Sequence, residues 1–84
     1  MPFVYMVRCS DGTLYTGWTV DVKARIKAHN AGQGSVYCKY RRPVRLVYQE
    51  ELPNRSEAQR RELAIKRLPR RKKLDLIAQQ RAEV

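Results

Sequence analysis

Two strand-like segments joined by a short turn constrain the fold more than any other part of the sequence. Residues 3–9 (FVYMVRC) and residues 13–18 (TLYTGW) are rich in β-branched and aromatic residues, which favour strands. Ser10, Asp11 and Gly12 lie between them, and glycine readily adopts the positive φ that tight turns require. The chain is therefore predicted to begin with a β-hairpin, which implies an antiparallel sheet.

The length of this turn decides which side chains share a face of the sheet. A two-residue turn at residues 11–12 would place Tyr5 and Tyr15 on opposite faces. A three-residue turn at residues 10–12 would place both rings on one face. Because Gly12 at the third turn position suits the glycine-bulge form of the longer turn, we predict the shared face.

The middle of the sequence predicts a helix, a loop and a third strand. Asp21 can cap a helix in which Val22 and Ile26 lie one turn apart, and residues 30–32 (NAG) are typical of its end. A loop with two glycines follows. Residues 44–48 (VRLVY) alternate between apolar and other side chains, which predicts a strand.

Two further helices are predicted in the last third of the chain. The capping-box pattern occurs twice at the start of the first, in residues 54–57 and in residues 56–59. This helix should extend to about Leu68, because Pro69 interrupts it. A last helix is predicted over about residues 70–81.

The predicted element order is β-β-α-β-α-α, which indicates an α+β fold: a small three-stranded antiparallel sheet flanked by helices. The 84 residues leave no room for a second domain, and a hydrophobic content of 43% is enough for a folded core. We assign residues 1–79 to one domain and residues 80–84 to a C-terminal tail.

Charge is the compositional feature that bears most on function. The chain has 18 lysines and arginines against 8 acidic residues, a formal net charge of +10. Such a surface attracts polyanions and releases counterions when it binds them, and so nucleic acid is the predicted partner. A basic protein without a specific partner is the alternative.

Several classes of protein are disfavoured by the sequence. No segment approaches the ~20 apolar residues of a membrane span, and the N-terminus lacks a secretory signal pattern. Cys9, Cys38 and a single histidine cannot complete a four-ligand zinc site. We expect both cysteines to be reduced thiols in a cytoplasmic protein.

Glu62 is the acidic residue whose position stands out. In the predicted helix before Pro69, Ala58, Ile65 and Leu68 form the stripe expected to face the sheet, and Glu62 lies on the same stripe. A carboxylate there must be paired, bound to a cation or placed at the edge of a cleft. A salt bridge to a neighbouring arginine is the alternative to a functional site.

Arg25 and His29 lie four residues apart and project from one side of the first predicted helix. Arginine can bind a phosphate with two hydrogen bonds, and neutral histidine can accept a proton near neutral pH. Two solvated side chains are the alternative, as ordinary packing is for Tyr5 and Tyr15. The tyrosines can meet this helix only if it packs across the sheet beside the Glu62 helix.

Two short motifs resemble a known family. Val4-Tyr5 and, ten residues after Tyr5, the sequence Tyr15-Thr16-Gly17 resemble the paired GIY and YIG elements of the GIY-YIG nuclease superfamily. The resemblance continues through Arg25, His29 and Glu62 in the expected order. Among its members the chain is most similar to the small, single-domain, YhbQ-like proteins.

This resemblance implies a role for each residue. Tyr5, Tyr15 or His29 would help to activate a water molecule, and Arg25 would hold the scissile phosphate. Glu62 would bind one divalent ion, Mg²⁺ or Mn²⁺, and Gly17 would be a structural residue of the motif. These roles match what phosphodiester hydrolysis requires, namely a metal ion, a base and a cation on the phosphoryl oxygens.

The sequence also departs from the family pattern at three positions. Phe3 replaces the first glycine of the GIY element, Thr16 replaces the isoleucine of the YIG element, and Trp18 stands where several repair enzymes have a lysine. The resemblance implies a metal-dependent endonuclease that acts on DNA more readily than on RNA. A non-catalytic module that binds nucleic acid or a protein partner is the alternative.

Two basic segments outside the motifs are predicted to contact nucleic acid. The first comprises Lys39, Tyr40, Arg41 and Arg42, in which an aromatic face could stack on a base while cations follow the phosphates. The second is residues 70–71, a pair of arginines whose charge opposes the dipole of the last helix unless a phosphate binds there. Solvated charge is the alternative for both, and a protein partner is an alternative source of specificity.

Overall fold

The computed structural model describes residues 1–82. Its elements are β1 (Phe3–Arg8), β2 (Leu14–Thr19), α1 (Val22–Asn30), α2 (Val36–Lys39), β3 (Arg45–Glu51), α3 (Arg55–Lys66) and α4 (Arg70–Ala82). The predicted α+β class and the order β-β-α-β-α-α are confirmed, with the short helix α2 as an addition.

The turn between β1 and β2 has the longer of the two predicted forms. Tyr15 lies opposite Val7 and Gly17 lies opposite Tyr5, a register that leaves three residues in the turn. Gly12 has a φ of 85°, and its N–H donates to the carbonyl of Cys9 at 2.9 Å. Tyr5 and Tyr15 therefore share one face of the sheet, as predicted.

β1 is the central strand of a sheet with the order β2-β1-β3, and both of its neighbours are antiparallel to it. The register between β1 and β3 shifts, because Met6 lies opposite Tyr48 whereas Val7 lies opposite Leu46. Val47 is the extra residue of this bulge. The bulge interrupts the alternation predicted for β3, so that Leu46 and Tyr48 join different core clusters.

Helices cover both faces of the sheet. On one face, α3 and α4 pack on a core cluster of Val4, Met6, Tyr48, Ala58, Ile65 and Ile77. On the other, α1 and α2 pack on a cluster of Tyr5, Val7, Cys9, Cys38 and Val44, against which Ile26 and Tyr15 also lie.

The expectation that α1 packs beside α3 is therefore wrong. Successive side chains of β1 point to opposite faces, and Val4 to Val7 are all fully buried. A central strand that is buried on both sides needs a helical layer on each side. The tyrosines meet α1 because both lie on the face that α1 covers.

Part of the predicted loop before β3 is the short helix α2. The hydroxyl of Ser35 accepts a hydrogen bond from the Tyr37 N–H at 3.1 Å and so caps the first turn. Cys38 of α2 is fully buried, and both cysteines are free thiols. A four-residue helix shows no repeating apolar stripe, which explains why the pattern of the sequence did not indicate it.

Helices α1 and α3 begin at the predicted caps. Asp21 accepts from the N–H of Ala24 at 3.0 Å, and Asn54 accepts from the N–H of Glu57 at 2.9 Å, so the cap of α3 is Asn54 and not Ser56. No helix within residues 1–82 is long and apolar enough to cross a bilayer.

The last helix continues to Ala82, beyond residue 79. The side-chain amide of Gln80 donates to the carbonyl of Gln49 at 2.6 Å and accepts from its N–H at 3.2 Å. The division into a domain and a tail stays a prediction, and residues 83–84 of that tail lie outside the described residues.

Candidate active site

Tyr5 and His29 form a hydrogen-bonded pair in the layer between the sheet and α1. The Tyr5 hydroxyl lies 2.8 Å from Nε2 of His29. Tyr5 is 0% exposed and His29 is 1% exposed. α1 places its last turn over the centre of the sheet, and this brings together two residues that lie 24 positions apart.

Gly17 leaves the space that the Tyr5 ring occupies. A Cβ atom on Gly17 would lie 2.5 Å from the Tyr5 hydroxyl oxygen and 2.8 Å from Cζ. Atoms of a side chain essentially never approach a ring so closely. The structural role predicted for Gly17 therefore has a specific basis: the ring of Tyr5 passes over its backbone.

Burial keeps the Tyr5–His29 pair uncharged near neutral pH. It raises the pKa of Tyr5 to about 12, with a further contribution from Tyr15, while the positive charge of Arg25 acts in the opposite direction. Burial, and secondly the charge of Arg25, lower the pKa of His29. Arg25 itself is half-buried beside the pair.

Tyr15 extends the cluster toward the surface. Its ring meets the imidazole of His29 edge-on, with 5.5 Å between ring centres, and stacks on Tyr37 of α2 at 5.6 Å. Tyr15 is half-buried, whereas Tyr5 is fully buried. Of the two motif tyrosines, solvent therefore reaches only Tyr15.

Glu62 lies on α3, in the opposite layer, and is linked to the same cluster through Lys66. One of its carboxylate oxygens lies 3.8 Å from Nζ of Lys66, and this Nζ lies 5.8 Å from the centre of the Tyr15 ring. The Glu62 side chain is 22% exposed, which agrees with a position at the edge of a cleft. Its ion-pair partner is a lysine one turn along α3 and not an arginine.

The structure thus brings four of the five predicted catalytic residues into one cluster and connects the fifth to it through Lys66. The four are Tyr5, Tyr15, Arg25 and His29. Lys66 and Tyr37 were not assigned to the site from the sequence. Their contacts with Tyr15 join segments that lie far apart in the chain, and no local sequence pattern predicts such contacts.

The acidic residues available for a metal ion are few. Within residues 1–82, no three side chains of the His, Cys, Asp and Glu types converge closely enough to hold a metal ion. Glu62 would have to act as a single carboxylate. This donor set fits Mg²⁺ or Mn²⁺ that keeps most of its water ligands and does not fit a fully protein-enclosed site.

Arg41 and Arg42, predicted to bind nucleic acid, also have structural contacts. Arg41 pairs with Asp11 at 3.2 Å, donates to the carbonyl of Tyr37 at 2.8 Å and lies 3.9 Å above the Tyr37 ring. Arg42 donates to the carbonyl of Lys39 at 2.8 Å, at the end of α2. Both arginines therefore help to fix α2 on the molecule.

Lys39 and Tyr40 are exposed members of that segment. Tyr40 is 77% exposed, and Nζ of Lys39 lies 5.6 Å from the centre of its ring. Together with Asn30, Arg42 and Pro43 they line an open cleft of about 530 Å³. A cation beside an exposed aromatic face is the combination that single-stranded nucleic-acid sites use.

The second basic segment lies at the start of α4. Arg70 donates to the carbonyl of Gly12 at 3.0 Å and so connects α4 to the hairpin turn. Arg71 is exposed. Of these two arginines, Arg70 is therefore the one that makes a structural contact with the hairpin turn, and Arg71 is the better candidate for binding phosphate.

Comparisons with known proteins agree with this architecture. The sequence model of a family described as the GIY-YIG catalytic domain matches residues 1–75. UPF0213 proteins of Staphylococcus aureus strains Mu3 and Mu50 are each 60% identical over 75 residues, which cover 89% of this chain and 92% of the relative. The solution NMR structure of a UPF0213 protein from Bacillus halodurans is similar, with a TM-score of 0.60, 46% identity, and coverage of 93% of this chain and 84% of that one.

Proposed function

The chain belongs to the GIY-YIG domain family, and from that premise we propose that it is a divalent-metal-dependent endonuclease that hydrolyses phosphodiester bonds, in DNA more readily than in RNA. The observation that carries the proposal is the cluster of Tyr5, Tyr15, Arg25 and His29, built from two strands and a helix. Ordinary core packing does not require a buried tyrosine–histidine pair beside an arginine.

Arg25 and Glu62 have complementary roles in this proposal. Arg25, half-buried beside the uncharged Tyr5–His29 pair, would hold the scissile phosphate and stabilise the charge that develops on it. Glu62 would hold Mg²⁺ or Mn²⁺, which would neutralise the phosphoryl oxygens when bound. The ammonium group of Lys66 must give way to that ion, because both compete for the same carboxylate.

The water-activating residue is one of Tyr5, Tyr15 and His29. With a pKa of about 12, Tyr5 is a base at neutral pH only if its own proton can pass to His29, and Nε2 lies 2.8 Å away. Tyr15 is the tyrosine that solvent reaches. A substrate whose phosphate binds Arg25 would reach Tyr15 directly, whereas Tyr5 and His29 are buried.

Nucleic acid would enter across α2, and we propose that the two basic segments form its binding surface. Their members are Lys39, Tyr40, Arg41, Arg42, Arg70 and Arg71. The net charge of +10 supports this proposal, since it favours the binding of a polyanion over the whole surface.

The free thiols Cys9 and Cys38 suit a reducing compartment, and we propose that the protein is cytoplasmic.

A non-catalytic nucleic-acid-binding module on the same fold is the second candidate. The ion pair between Lys66 and Glu62 favours it, because a carboxylate already neutralised by a lysine binds a metal ion less well. Specificity in that case would come from a protein partner or from the basic surface alone.

Substitution of Glu62 tests the proposal. Labelled single-stranded, duplex and branched substrates would be incubated with Mg²⁺, Mn²⁺ or EDTA and either the native protein or Glu62→Gln. We expect the variant to lose metal-dependent cleavage by on the order of 100-fold or more and to bind nucleic acid as well as before, because the carboxylate contributes nothing attractive toward phosphate. Arg25→Ala should lower both cleavage and affinity.

Matched controls exist on the same helices. Glu57→Gln removes an equivalent charge from α3, where Glu57 pairs with Arg60, and Lys23→Ala removes a cation from an exposed position of α1. Both should cleave like the native protein. Equal cleavage by the native protein and Glu62→Gln, purified side by side, would indicate a contaminating nuclease and leave the binding module as the function.

A further inference from the structure

The His29 ring is held in a way that hydrogen bonds alone do not explain. Nε2 bonds with the Tyr5 hydroxyl, but Nδ1 is buried and has no hydrogen-bond partner among the described residues. Histidines at reactive sites are usually oriented by a hydrogen bond at the second nitrogen. Another contact must therefore fix the rotation of this ring.

Gly34 provides that contact. A Cβ atom on Gly34 would lie 2.8 Å from both Cγ and Cε1 of His29 and closer still to Nδ1. Equal distances to the two ring carbons mean that the backbone passes over the Nδ1 corner of the imidazole. Any side chain at position 34 would displace the ring or the loop.

The conformation of the backbone does not by itself require a glycine at position 34. The glycines with positive φ are Gly12 and Gly32, and Gly34 is not among them. The φ of Gly34 therefore does not exclude an alanine. The close approach of the ring is thus the physical reason for glycine here, as the Tyr5 ring is for Gly17.

We propose that Gly34 is a positioning residue of the site: its bare backbone holds the His29 ring in the orientation that keeps Nε2 against the Tyr5 hydroxyl. The assignment to catalysis rests on the proposed nuclease function. Gly17 from β2 and Gly34 from the loop before α2 then enclose the Tyr5–His29 pair from two sides. Gly34 lies outside both sequence motifs.

The single histidine of the chain makes the proposal directly measurable. The imidazole resonances of His29 would be followed by NMR as a function of pH in the native protein, Gly34→Ala and the neighbouring exposed control Gln33→Ala. We expect the native ring and the control to titrate below the ordinary histidine range. In Gly34→Ala the displaced ring should gain solvent, and its pKa should rise toward 6.5.

The groups that face the ring are the same in these three proteins: Tyr5 from β1, Tyr15 from β2 and Arg25 from α1 itself. A change in the titration therefore reports the position of the ring and not a new charged neighbour. If cleavage is established, Gly34→Ala should lower kcat by about 100-fold, the loss expected when a reacting group is misplaced by about 1 Å.

A double-mutant cycle separates this role from a general need for glycine in the loop. In a His29→Ala background the ring is absent, so Gly34→Ala should cost little further stability. If Gly34→Ala alone fails to fold, His29→Ala/Gly34→Ala should fold as well as His29→Ala. An unchanged His29 titration, or an equal loss of stability in both backgrounds, overturns the proposal. Absence of cleavage by the native protein would refute the nuclease function and leave both of these measurements decisive for Gly34.

Discussion

At the scale of single residues, the sequence indicates the local contacts and misses the distant ones. Gly12 in the turn and the caps Asp21 and Asn54 act on backbone within a few positions, and each was predicted from its neighbours. Lys66 contacts Tyr15, which lies far away in the chain, and Gly34 contacts His29 only because the loop after α1 folds back onto its last turn. Their roles depend on how α1 and α3 pack, which no short pattern encodes.

Thr16 offers a test, also at the residue scale, of what a buried hydroxyl without a hydrogen-bond partner costs. It is 3% exposed, faces the α3 layer, and its hydroxyl has no hydrogen-bond partner among residues 1–82. A buried hydroxyl without a partner costs about 1–3 kcal/mol, and so Thr16→Val should raise the free energy of unfolding by about 1 kcal/mol. Chemical denaturation would measure the change.

Thr19 on the same strand is the matched control. It is also buried, but its hydroxyl accepts from the N–H of Asp21 at 3.2 Å. Thr19→Val should therefore lower the free energy of unfolding by roughly 1 kcal/mol. The same sign for both substitutions would contradict this account of Thr16.

At the scale of elements, the strands and long helices were predictable because each has its own pattern. The hairpin follows from alternation and turn chemistry, and α3 follows from its cap and apolar stripe. The layer that each helix occupies was not predictable from single segments. It follows from β1 as a whole, whose four consecutive buried residues need cover on both sides.

Asn30 connects two of these elements and should matter for stability. Its side-chain amide donates to the carbonyl of Val44 at 3.0 Å and accepts from the N–H of Val44 at 2.7 Å, which joins the end of α1 to the start of β3. Asn30→Ala leaves both backbone groups unpaired. We expect it to lower the free energy of unfolding by about 1–3 kcal/mol.

Asn30→Asp keeps the acceptor and loses the donor, so its effect should lie between those of the native residue and alanine. Gln33→Ala, in the adjoining exposed loop, should change the free energy of unfolding by less than about 0.5 kcal/mol. Urea titrations of the four proteins give the comparison. Equal stability of Asn30→Ala and Gln33→Ala would show that the bridge contributes nothing.

At the scale of the whole molecule, the net charge of +10 should govern how nucleic acid binds. Affinity should fall steeply as salt rises, and Lys39→Ala should reduce the salt slope by about one phosphate contact. Lys39 is the better probe than Arg41 or Arg42, because those arginines also hold α2 in place. Fluorescence anisotropy at several salt concentrations measures the slope.

Arg60 provides the control for that measurement. It is exposed on α3, pairs with Glu57 and lies in the layer opposite α2. Arg60→Ala removes the same charge and should leave the salt slope close to that of the native protein. A slope that drops equally in both variants would mean that nucleic acid responds to total charge and not to the α2 surface.

The amide of Gln80 has a consequence for how copies of this protein behave in a crowded solution. β3 is an outer strand, and outer strands offer unpaired backbone groups onto which another chain can add. Gln80 satisfies both groups of Gln49 in the manner of a neighbouring strand. The last helix therefore blocks part of the sheet edge against strand-by-strand aggregation, and a chain shortened before Gln80 would expose it.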